Sequence, residues 1–169
     1  MQPALANLTV PSPIGAAEEE TGPATLAMAA AALDGREAAQ LVERIEATRT
    51  AAALAHRALG LGYHVHLHTP EPDEVPDEAR SAGLQVHEAA DTVTVETALA
   101  ARRPVIVSGP GDGPPFLLVL RQDDDELVVD DPSVEERTLA WTWDRLAELL
   151  ETEPAPRLIE VGARIRADH

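Results

Sequence analysis

Apolar positions follow two different periods along this chain. From Ala24 to Leu33 nearly every position is apolar, and Ala dominates. A run of that length suits a buried helix rather than a strand. Pro23 fits a first helical turn, where its missing N–H is no loss. Glu18, Glu19 and Glu20 complement the positive end of the helix dipole, and Gly35 supplies the stop. Thr21 is placed to cap this helix through its hydroxyl. A second helix is predicted over Arg36 to Thr48, with Leu41, Val42 and Ile45 on one face. A third runs from Thr50 to Leu59, ended by Gly60 or Gly62.

The period then shortens to two. Tyr63 to Thr69 alternates as a strand, and Pro70 to Asp77 reads as a turn. Asp77 to Ala82 is one helical turn closed by Gly83, and Leu84 to His87 is a short strand. Asp91 to Arg103 reads as a helix capped by Thr92 or Thr94, followed by a buried strand over Pro104 to Ser108. Gly109 to Pro115 is a loop. Phe116 to Arg121 and Glu126 to Asp130 form a hairpin about Gln122 to Asp125. A helix over Trp141 to Leu150, with Thr142 as cap, and a strand over Arg157 to Ile165 close the pattern. A short strand also fits Leu8 to Val10. Helices first and mostly antiparallel strands afterwards predict an α+β fold.

The 169 residues suit one domain, assigned to residues 15–166 after an irregular lead-in over residues 1–14. Apolar residues make up 44% and aromatics 2%, so the core is built from Ala, Leu and Val. The net charge is −17, and all basic residues are Arg. A field of that sign repels phosphate, which argues against nucleic acid and anionic membranes as partners. Without Cys there is no thiol chemistry, disulfide or thiolate metal site. No basic-then-apolar leader and no run of 18 apolar residues is present, so the cytoplasm is the expected location.

Three features invite chemistry. His64, His66 and His68 alternate, so they share one strand face. Two imidazoles in that arrangement are candidate ligands for a transition metal. Alternate residues lie about 7 Å apart, however, which is wide for chelation. An exposed polar face is the preferred reading, and neither a metal nor another cofactor is assigned. Gly109 to Pro115 is Gly-rich but lacks the Lys-Ser/Thr of a phosphate loop, so it reads as a plain loop. Asp123 to Glu126 reads as a solvated hairpin tip, without the spacing of a calcium loop.

Three ordered segments resemble one family. Glu20-Thr21-Gly22-Pro23 is similar to the Cys-Gly-Pro that opens the first helix of the bacteriocin-leader, or double-glycine, cysteine peptidases. Arg103-Pro104-Val105-Ile106-Val107 resembles their central strand. Pro115 to Val119, continued through Val128 to Pro132, resembles the hairpin that begins with the catalytic His and ends in an Asp-Pro turn. Leu139-Ala140-Trp141 and its helix resemble the close of the domain. The similarity spans residues 15–165 and implies a papain-like fold, with N-terminal helices packed on an antiparallel sheet.

The resemblance also locates the departures. Thr21 stands at the Cys position, Pro115 at the His position and Asp131 at the Asp position. The upstream Gln would fall near Gly15. A thiolate at a helix start needs an imidazole base, and a third group orients that base. A Thr hydroxyl is too weak an acid to replace the thiol unaided, and Pro transfers no proton. Asp131 would then orient nothing, and a turn role suits it. The expectation is a domain without cysteine-peptidase activity. It would bind a peptide, a carrier protein or a small molecule in the cleft lined by Thr21, Gly22, Pro115, Phe116 and Asp131. The alternative is an enzyme reusing the cleft without a cysteine, such as a cyclase or tailoring enzyme of bacterial specialised metabolism.

Overall fold

A computed structural model describes residues 21–35, 50–88, 91–108, 116–131, 139–152 and 155–164. The helix expected over Arg36 to Thr48 and the strand near Leu8 lie outside these residues. Helix α1 (Thr21–Asp34) is buried without a break from Thr21 to Ala30. Its Ala-rich surface has no polar stripe, which is the pattern of a helix covered on all sides. Gly35 ends it at φ +71°, and its N–H bonds to the Ala31 carbonyl at 2.8 Å. Glycine takes that left-handed conformation without a Cβ penalty. Helix α2 (Ala51–Gly60) begins where predicted: the Thr50 hydroxyl caps it by accepting the Ala53 N–H at 3.1 Å.

Among the described residues seven strands form one sheet: β1 (Tyr63–His68), β2 (Gln85–His87), β3 (Val105–Val107), β4 (Leu117–Asp123), β5 (Glu126–Asp130), β6 (Leu139–Thr142) and β7 (Leu158–Arg164). The order across the sheet is β2-β1-β7-β3-β4-β5-β6. Every neighbouring pair is antiparallel except β1 and β2. That parallel pair is joined through a 3-10 turn (Pro72–Glu74) and helix α3 (Asp77–Ser81), since parallel neighbours need a crossover. The last strand, β7, enters the middle of the sheet between β1 and β3.

The two faces of the sheet carry separate cores. Tyr63, Val65 and Leu67 of β1, Ile106, Leu118, Leu120, Ile159 and Val161 pack with α1 and α2. The other face packs Val105, Val107, Val119, Leu127 and Val129 against α4 (Thr92–Ala100) and α5 (Trp143–Leu150). Leu118 and Leu120 share the α1 side by ordinary strand alternation, and an irregularity lies between Val119 and Arg121. Such a bulge adds one residue and bends the strand.

Several local expectations are corrected. The cap of α4 is Asp91, not Thr92 or Thr94. Its carboxylate accepts the Thr94 N–H at 3.0 Å, while the Thr94 hydroxyl accepts the Asp91 N–H in return. α4 ends at Ala100, three residues before Arg103. Trp141 belongs to strand β6 rather than to the final helix, and Thr142 still caps α5 through the Arg145 N–H at 3.1 Å. The hairpin strands extend to a two-residue tip at Asp124 and Asp125, with Asp124 at φ +57°.

Candidate functional site

The start of α1 meets one end of the central strands. The end of β3 and the starts of β4 and β7 lie together there, because Val107 pairs with both Leu117 and Leu158. Ser108 fastens this end: its N–H bonds to the Arg157 carbonyl at 3.0 Å, and its hydroxyl accepts the Arg157 N–H at 2.7 Å. Thr21 lies within the helix, not ahead of it as a cap would. Its hydroxyl accepts the backbone N–H of Phe116 at 2.8 Å. Thr21, Gly22 and Phe116 are all buried. One turn along, the Thr25 hydroxyl donates to the Gly22 carbonyl at 2.8 Å.

The remaining expected residues divide. Pro115 lies outside the described residues, although its chain neighbour Phe116 is the group bonded to Thr21. Asp131 sits half-buried just past β5. Asp130, passed over in the sequence, is fully buried. It pairs across the strands with Leu118, so its side chain takes the face that packs on α1. Its one signal in the sequence was an acid in register with Leu118. These strand ends are tied together by hydroxyls that accept backbone N–H groups, and the chain offers no thiol.

No family model matches this chain, and no curated protein matches it. Solved structures do. The peptidase domain of Streptococcus ComA, a bifunctional ABC transporter of a quorum-sensing pathway, superposes with a TM-score of 0.57 at 15% identity, over 92% of this chain and 100% of that one. The chain has the fold of a double-glycine peptidase domain. A double-glycine motif protease from an AMS/PCAT transporter, solved in complex with its leader peptide, gives 0.53 at 15% identity, over 93% of this chain and 94% of that one. A C39-like peptidase from Bacillus anthracis gives 0.53 at 11% identity, over 93% and 96%. The peptidase fold thus spans nearly the whole chain while the sequence has diverged far.

The histidines form a second cluster on the opposite face of this fold. Tyr63, Val65 and Leu67 point to α1 and α2, so His64, His66 and His68 point away. His66 Nδ1 lies 3.0 Å from His87 Nε2, across from β1 to β2. The His68 and His87 rings stack 4.6 Å apart at 17°. His68 Nε2 is paired with Glu160 of β7, whose other oxygen accepts Arg103 Nε at 2.9 Å. Burial pushes His66 and His87 below the usual imidazole range. Burial pushes Glu160 up, but the bonds and charges of His68 and Arg103 outweigh it and hold the carboxyl below its usual range. Among the described residues no group of three or more His, Cys, Asp or Glu is arranged to hold a metal ion. His87 and Glu160 were missed in the sequence because they come from other strands.

A cavity of about 460 Å³ opens beside this region, on the α2 side of the sheet. Thr50 and His56 of the α2 segment, Leu67, Val75, Ala79 and Arg157 line it. Nothing in the sequence pattern set it apart, because its walls come from four separate segments. No helix among the described residues is long and apolar enough to cross a membrane.

Proposed function

We propose that this chain is a non-proteolytic peptidase-like domain that binds a peptide at the end of the sheet where α1 meets the start of β4. The observation that carries the reading is the buried Thr21 hydroxyl bonded to the Phe116 N–H; by the sequence resemblance, Thr21 takes the place of the nucleophile. A hydroxyl in that bond is a structural strut. Pro115, at the position of the base, has no proton to give or take. The peptide as ligand is supported by the similar AMS/PCAT protease, which was solved with its leader peptide bound. β4 is paired on both sides, so a peptide would lie across the strand ends and be held by side-chain contacts there, not by adding a strand.

Fluorescence anisotropy of a labelled double-glycine leader peptide tests this. The expected result is saturable binding that weakens when Asp131, at the rim, is replaced by Arg. A flat titration with every leader peptide tried would overturn the peptide reading.

A further inference from the structure

We propose that residues 69–88 form an acid-responsive flap, latched at neutral pH by the His66–His87 contact and covering the cavity between α2 and α3. The segment holds the 3-10 turn, α3 and the edge strand β2. Its backbone ties to the body are few. β2 pairs with β1 at three positions, and beyond the backbone Glu71 meets Arg157 at 3.8 Å; the Thr69 N–H bond to the His87 carbonyl at 2.9 Å closes the segment on itself. Its apolar anchors are few: Val75, Ala79 and Leu84, with Val86 partly buried. Segments held this weakly are the ones that open without global unfolding. Val75 and Ala79 are also walls of the cavity, so lifting the segment uncovers it.

The latch works through protons. With one ring neutral, His66 and His87 share a hydrogen bond at 3.0 Å. With both protonated, each ring nitrogen carries a hydrogen. The bond is lost and two cations touch. His68, stacked on His87, brings a third imidazole, and His64 continues the same face of β1. Arg103 adds a fixed positive charge to this face. Glu160, the carboxylate in direct contact with the cluster, is already engaged by His68 and Arg103. The open rings regain ordinary solvation, so opening takes up protons. The sign follows: closure is favoured above about pH 6.5 and is opposed as the pH falls through the lowered values of His66 and His87.

Hydrogen exchange read by mass spectrometry on the full chain, at about pH 7.5 and about pH 5.5, tests the latch. Rates are divided by the intrinsic rate at each pH. In the wild type, protection over residues 84–88 should fall at least about fivefold at the lower pH, while residues 117–130 of the β4–β5 hairpin stay protected. His87→Phe keeps a stacking ring that cannot protonate, and it should hold residues 84–88 protected at both values. If that variant fails to protect 117–130, His66→Gln gives the same readout from the other half of the pair. Unchanged protection in the wild type, an equal fall in both segments, or a variant as acid-sensitive as the wild type would each overturn the proposal.

Discussion

The Thr21 hydroxyl of α1 accepts the backbone N–H of Phe116 at 2.8 Å, across 95 residues of chain. This one bond ties the helix start to the strand that begins the β4–β5 hairpin. Both ends are buried, so neither finds water when the other is removed. Thr21→Val keeps the shape and loses the acceptor. It should lower stability by about 1–3 kcal/mol, the cost of an orphaned buried N–H, whereas Thr21→Ser should lose much less. Chemical denaturation measures both, and equal losses would show that the hydroxyl does not carry this bond's weight.

Asp91, and neither threonine after it, should dominate the start of α4. Asp91→Ala is expected to remove about 1 kcal/mol, and Thr92→Ala to be nearly neutral. Thr94→Ala should fall between them, since it removes only the return half of the box. Thermal melts rank the three. A Thr92 variant as damaged as the Asp91 variant would contradict the observed cap.

Glu160 contributes acid sensitivity of its own. Its folded-state value is held below the ordinary carboxylate range, so its stabilisation is present above about pH 4.5 and is lost as the pH falls through that lowered value. Glu160→Gln should flatten the stability profile in that window and lower the plateau above it. An unchanged slope of stability against pH below about 4.5 would mean that the His68 and Arg103 contacts do not matter energetically.

The proposed absence of peptidase chemistry can be probed by building a thiol and an imidazole into the two positions. Thr21→Cys alone should give a thiol above the free value of about 8.5, because burial at this position and Glu18, Glu19 and Glu20 oppose what the helix dipole favours. Adding Pro115→His should lower it, since residue 115 directly precedes the group bonded to residue 21. Alkylation rates against pH report the difference. Equal values in single and double variants would separate position 115 from position 21.

Much of this fold was legible because it is locally encoded. The unbroken Ala run with Pro23 and Gly35 marks α1, Thr50 marks α2, and the alternation at Tyr63 to His68 sets which face of β1 is buried. What escaped is non-local. Leu139 to Thr142 is too short to show a period, and Trp141 fits the stripe of the following helix as well as it fits a strand. β2 is three residues long, and its parallel pairing depends on a crossover that no pattern announces. Thr21 looked like a cap because a cap is the local use of such a hydroxyl, and its partner is far along the chain. The histidine face was visible, but His87 and Glu160 join it only through strand order. Asp131 drew notice through motif spacing, while the more deeply buried Asp130 needed the hairpin register to be seen.

The account rests on a domain that holds a leader peptide and leaves it whole. Equilibrium dialysis of a double-glycine leader peptide against the protein, with mass spectrometry of both compartments, reads binding and cleavage together. The expected result is peptide enriched on the protein side at its original mass. Peptide cut after the double glycine by the wild type and left whole by Thr21→Ala would contradict the account outright, because it would make the Thr21 hydroxyl a nucleophile.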